Sequence, residues 1–149
     1  MALCRFNPRM PKQRFETYDI YERNHPREGA AMDATTVTHE IQPVFDSRSR
    51  VLLLGTMPSP ASREQGFYYG HPQNRFWRVL ATIFNEPAPR TIEEKRNMLL
   101  RYHIALWDVL ASCEIEGASD ASIRDAQPND LARIFDVADI RAVFATGTK

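Results

Sequence analysis

The sequence predicts an α/β fold: a three-layer α/β/α sandwich around a central parallel sheet. Short apolar, β-prone runs alternate along the chain with segments whose apolar residues recur at helical spacing. That alternation implies parallel strands joined by helical crossovers, with the sheet covered on both faces. A long polar and aromatic segment also follows the first apolar run, and ligands in such sheets bind beyond the carboxyl ends of strands.

Residues 1–31 carry Pro8, Pro11 and Pro26 and scattered Arg and Lys, with no apolar period. They read as a disordered extension. Glu16, Asp19, Glu22 and Glu28 argue against a transit peptide, which is poor in acidic residues. Met32 is a candidate start.

Val51–Leu54 reads as the first strand, stopping at Gly55. Phe76, Leu80, Ile83 and Phe84, spaced i, i+4, i+7, i+8, mark a helix over residues 75–84. Thr91-Ile92-Glu93-Glu94 is a capping box opening a second helix toward Arg101. Ile104–Val109 is apolar and β-prone, the second strand, and Gly117 to Pro128 reads as a polar loop. Asn129 is expected to cap a helix carrying Leu131, Ile134, Phe135 and Ala138, and Ile140–Ala145 is the third strand, ending at Thr146-Gly147. Asp108, Ser112, Ser119 and Asp120 fall after the second strand, where capping and turn formation are the expected uses.

Composition bounds the class. The 149 residues are 43% hydrophobic, as in a single globular domain, and no apolar run approaches a membrane-spanning length. The N-terminus has no secretory apolar region. Cys4 and Cys113 are far apart and in no metal-like spacing, so a disulfide framework or a structural metal is not expected. A reducing, cytoplasmic location and a monomer are the expectations. Nineteen basic and nineteen acidic residues balance, so any nucleic-acid contact depends on local basic residues rather than bulk charge.

The candidate site is the segment between the first strand and first helix: Gly55-Thr56-Met57-Pro58-Ser59, then Gly66-Phe67-Tyr68-Tyr69-Gly70-His71-Pro72-Gln73-Asn74-Arg75-Phe76-Trp77. Loops of this length inside compact domains are usually functional. These two blocks resemble the uracil-DNA glycosylase superfamily, in particular its hypoxanthine (deoxyinosine) and mismatch-specific uracil glycosylases. The resemblance runs from about Thr38 to the end, which sets the expected glycosylase domain at residues 38–149. It implies that a fourth strand and a second motif loop are missing, so that the sheet is expected to lack its last strand and the chain to be a fragment of a longer protein, the alternative being a naturally truncated chain.

The resemblance further implies removal of a deaminated base flipped out of duplex DNA, leaving an abasic site, without a metal or organic cofactor. Hypoxanthine is the expected base and uracil opposite guanine the alternative; a non-catalytic DNA- or base-binding module is a third reading. No lysine lies in either block to form a Schiff base with the sugar, so a monofunctional enzyme is implied. Tyr69 corresponds to the family's base-stacking aromatic; the plainer alternative is an anchor into the core, the role expected of Phe67 and Tyr68. Asn74 has two open roles, orienting the attacking water or capping the following helix. Met57 stands where better-known members carry Asp or Asn, which moves the water-orienting role to Asn74 and weakens the expectation for ordinary uracil. Backbone amides near Thr56 and Ser59 would face the base's carbonyls, with Gly55 and Pro58 shaping the turn. His71 is expected to hold the loop, and Arg75 to touch a phosphate or lie in solvent. No GxSxG elbow, P-loop or GxGxxG occurs, which leaves little for an unrelated hydrolase or nucleotide-binding protein.

Overall fold

A computed structural model describes residues 3–5, 35–116 and 120–146. The strands are β1 (Leu3–Arg5), β2 (Thr35–Thr38), β3 (Val51–Gly55), β4 (Ile104–Asp108), β5 (Leu110–Ile115), β6 (Arg124–Pro128) and β7 (Ala142–Ala145). The helices are α1 (Pro60–Gln65), α2 (Phe76–Ile83), α3 (Ile92–Arg101) and α4 (Ala132–Phe135).

The central sheet has the order β1-β7-β3-β4. Its three longer members are parallel, with Val51 opposite both Ile104 and Ala142. Every residue of β4 is buried, which is why the strand reads as an apolar run from Ile104 to Trp107, before its last residue Asp108. The three strands and α2 and α3 stand where the apolar spacing predicts them, and the α/β sandwich holds. On the far edge of β7 lies β1, antiparallel. Three residues of the segment expected to be disordered are thus in a strand; the rest of residues 1–31 lies outside the described residues.

Four local expectations are corrected. Residues 117–128 are not one polar loop: a short turn at Asp120–Ser122 leads into β6, which pairs with β5. Strand β6 is exposed almost throughout, so no apolar alternation announces it. Together β2, β5 and β6 form a second, antiparallel sheet over a small core of Leu110, Cys113, Ile115 and Ile123. The central sheet keeps β7, β3 and β4 parallel, and the antiparallel pairs lie at its β1 edge and in this second sheet. Asn129 does not cap α4, whose N-cap is Leu131. Its Nδ2 instead donates to the carbonyls of Asp108 and Leu110 at 3.0 and 2.9 Å, clamping the bend between β4 and β5, while Asp130 Oδ1 accepts from the Ala132 N–H. The buried face of α2 is Trp77, Leu80 and Ala81, whereas Ile83 is 67% exposed. Finally, the long loop is interrupted by α1, which Ser59 caps and Gly66 ends with φ +66°.

The capping box of α3 is formed as read, with Thr91 and Glu94 satisfying each other's backbone N–H groups. The main core gathers Leu52, Leu54, Phe67, Tyr68, Trp77, Leu99, Leu106 and Ile134 around the parallel strands.

Candidate active site

At the carboxyl ends of β3 and β4 lies a cavity of ≈ 240 Å³. Its lining includes Gly55, Thr56, Met57, Pro58, Ser59, Tyr69 and Asn74, so seven of the nine expected site residues converge there. His71 and Arg75 do not line it. Both are exposed, at the loop's outer turn and at the start of α2.

The loop is fixed from both sides. The carbonyls of Gly55 and Thr56 accept the N–H groups of Val109 and Leu110, which pins the motif turn to the start of β5. Ser59 Oγ accepts from the Ser62 N–H and shares a hydrogen bond with Ser62 Oγ. Ser62, buried at 3% exposure, in turn accepts the Gly70 N–H at 3.0 Å. The Ser59 hydroxyl is thus spent on capping α1, and Ser62 is the unpredicted clasp that closes the loop. The side chain of Met57 packs against the second core and forms an apolar wall.

The aromatic run divides by role. Phe67 and Tyr68 are buried; Phe67 stacks on Trp77, and Tyr68 Oη donates to the carbonyls of Ile41 and Gln42. Tyr69 differs. Its backbone sits at φ +53°, a left-handed conformation costly for a bulky residue and typical of constrained functional positions. Its ring stacks on Phe76 with centroids 3.9 Å apart, and its hydroxyl meets Thr146 Oγ1 at 2.9 Å. Burial pushes the Tyr69 hydroxyl up to about 12, with the Thr146 hydrogen bond opposing the rise and the Asp108 charge adding to it. Tyr69 therefore keeps its proton and presents a neutral aromatic at the cavity.

Asn74 stands where the loop enters the first turn of α2. Its Oδ1 accepts the Phe76 N–H at 2.9 Å, a side-chain turn that leads into α2, whose N-cap is Arg75, and the residue also lines the cavity. A carbonyl oxygen has two lone pairs, so the bond to Phe76 leaves one for a water molecule. His71 serves the turn: its Nδ1 accepts from Gln73 N–H and its carbonyl from Asn74 N–H.

One pair at the cavity has no signature in the residue spacing. Asp108, the last residue of β4, is not a turn or cap residue. It is buried at the cavity wall, and its Oδ2 lies 2.9 Å from Nε2 of His39, with side chains 6% and 1% exposed. The partners are 69 residues apart, and neither sits in a recognisable local pattern. A Cβ on Gly55 would collide with Asp108 Oδ1, so glycine at that turn makes room for the carboxylate. Asp120 lines the cavity, Ser112 lies within β5, and Ser119 lies outside the described residues. Among the described residues, no group of three His, Cys, Asp or Glu is placed to hold a metal ion, and no helix is long and apolar enough to cross a membrane.

Comparison with known proteins points one way. The sequence profile of the uracil DNA glycosylase superfamily matches residues 42–149. A hypoxanthine DNA glycosylase of Methanosarcina barkeri is 36% identical over 109 residues, covering 72% of this chain and 69% of that protein. A hypoxanthine DNA glycosylase of Methanosarcina acetivorans is 33% identical over 108 residues, covering 71% and 68%. A solution NMR structure from Methanosarcina acetivorans, provisionally assigned as a uracil DNA glycosylase, superposes with a TM-score of 0.68 at 30% identity, covering 77% of this chain and 72% of that one.

Proposed function

The chain belongs to the uracil DNA glycosylase superfamily, and on that premise we propose that it removes hypoxanthine from deoxyinosine in duplex DNA. It is a DNA glycosylase for deaminated bases, a hydrolase of N-glycosyl bonds. The observation that carries hypoxanthine as the base is the 36% and 33% identity to two hypoxanthine DNA glycosylases. Met57 agrees with it, because a thioether wall offers no strong acceptor at the position where uracil-cleaving relatives place Asp or Asn.

A base inside the duplex is out of reach, so the nucleotide is extruded at a cost of a few kcal/mol, least where pairing is already poor. Stacking on Tyr69 returns about 1–3 kcal/mol, and the strained, doubly held Tyr69 is ready for the base before it arrives. Cleavage passes through an oxocarbenium-like sugar. Asn74 Oδ1 orients the water that attacks it, using the lone pair left free by its bond to the Phe76 N–H. Backbone N–H groups of the turn at Thr56–Ser59 face the departing base and stabilise its developing charge, with Gly55 and Pro58 shaping that turn. His71 holds the loop's outer turn, and Arg75, beside Asn74, meets a DNA phosphate. The enzyme acts as a cytoplasmic monomer, is monofunctional, and leaves an abasic site.

Uracil opposite guanine is the second reading, favoured by the superfamily profile. Single-turnover excision from duplexes carrying deoxyinosine, uracil opposite guanine, or uracil opposite adenine separates the two. Deoxyinosine is expected to react fastest. A chain that processes only the uracil mismatch would overturn the hypoxanthine assignment.

A further inference from the structure

We propose that the cleft along the free edge of β2 is a docking site for an acidic, extended peptide segment of a partner protein, which adds to the second sheet as a further strand. The cleft shares no lining residue with the active-site cavity, and the proposal stands whether or not the base removed is hypoxanthine. Helix α1 divides the two: Ser59 and Ser62 line the cavity, whereas Arg63 and Gly66 line the cleft.

Strand β2 ends its sheet, with β5 on one side only. In an antiparallel pair, residues that exchange backbone hydrogen bonds alternate with residues whose N–H and C=O groups point away. The His39 N–H donates to the Ala111 carbonyl at 2.7 Å, and the same register sets Val37 opposite Cys113 and Thr35 opposite Ile115. These residues spend their backbone groups on β5, so Thr36, Thr38 and Glu40 direct theirs outward. All three line a cleft of ≈ 610 Å³ whose other wall comes from α1 and α3. A row of outward N–H and C=O groups is a template for another strand. The sequence of β2, TTVT, carries neither the lysine nor the proline that blunts such edges.

The facing wall selects the occupant. Arg63 Nη1 donates to the Pro58 carbonyl at 2.9 Å, which anchors the side chain and leaves the rest of its donor fork for a ligand. The Arg96 guanidinium lies over the Phe67 ring, 5.9 Å from its centroid. Among the described residues, neither arginine forms an ion pair. Glu40 is the one carboxylate of the lining, so two positive charges face one negative, above an apolar floor of Ile41 and Phe67. A strand of alternating acidic and apolar side chains meets the arginines, the floor and the β2 backbone together. A nucleic-acid strand answers the arginines but has no alternating N–H and C=O groups for Thr36 and Thr38, which is why the peptide is the occupant.

The full chain is titrated with a short, end-capped peptide of alternating glutamate and valine. Affinity is read by calorimetry and amide hydrogen exchange by NMR. Binding is expected to slow exchange at Thr36, Thr38 and Glu40, while Val37, already bonded to β5, changes little. A peptide with lysine in place of glutamate, and one with an N-methylated backbone, should each bind at least about 10-fold more weakly. Arg96→Glu, at an exposed position, should weaken the glutamate peptide by a similar factor and shift the preference toward the lysine peptide. Thr38→Pro removes an outward N–H without touching the ladder to β5 and should weaken both forms.

No binding of the glutamate peptide overturns the proposal, as does equal binding of its lysine or N-methylated form. Unchanged exchange at Thr36 and Thr38 in the bound state overturns it too, because the strand pairing would then be absent. Slowed exchange at those amides with duplex DNA but not with the peptide would give the arginines to nucleic acid instead.

Discussion

Replacing Gly55 by alanine adds one methyl group at the most crowded point of the site. The new Cβ would overlap Asp108 Oδ1 and lie 3.2 Å from its Cγ. The carboxylate cannot move away without leaving His39, the partner that pays for its burial. Losing a hydrogen bond to a charged group costs about 1.5–3 kcal/mol, and overpacking a tight interior adds about 1–3 kcal/mol. Alanine returns about 0.4–1 kcal/mol by restricting the unfolded chain. A net destabilisation of about 2–5 kcal/mol follows, or roughly 5–15 °C in Tm for a chain of this size. Thermal denaturation by circular dichroism measures it. Repeating the substitution in an Asp108→Ala background should abolish the penalty, since the obstructing oxygen is gone, and the coupling between the two sites isolates the contact. A Gly55→Ala variant melting within about 2 °C of wild type, or an equal loss in both backgrounds, would refute the reasoning.

Asn74→Ser separates the two roles of that residue: a serine hydroxyl forms the same kind of turn to the N–H two residues on, so stability should hold while base release in single turnover falls at least 100-fold, and retained turnover would confine Asn74 to shaping the entry into α2. Asn129→Ala removes two hydrogen bonds at the bend after β4 and is expected to cost about 1–3 kcal/mol in urea unfolding. Because the Tyr69 hydroxyl lies at about 12 rather than its usual 10.0, the folded state holds that proton longer than the unfolded chain. The contribution is complete below pH 10 and is lost as pH rises toward 12, so wild type should lose stability across that window more steeply than Tyr69→Phe in alkaline melts. Arg75→Ala should weaken binding to any duplex and reduce the salt slope by about 1, as removal of one phosphate contact does.

What could be read from the residue order was whatever repeats locally. The parallel strands β3, β4 and β7 are short apolar runs, and α3 carries its start signal at Thr91 and Glu94. The loop between β3 and α2 was legible because its aromatic and polar residues stand in fixed order close together. Strand β6 was not, since an exposed antiparallel edge has no buried face to impose a period. Asn129 looked like a cap because Asn caps helices, but tertiary context gave its amide two carbonyls at the β4–β5 bend instead. The His39–Asp108 pair was beyond reach for a different reason: 69 residues separate the partners, and only the sheet packing brings them together.

Direct identification of the product tests the central claim most plainly. A duplex carrying deoxyinosine is incubated with excess enzyme, and the released material and the remaining strand are analysed by mass spectrometry. The account predicts free hypoxanthine together with an intact strand bearing one abasic site. An unaltered duplex, or release of another base in place of hypoxanthine, would contradict it.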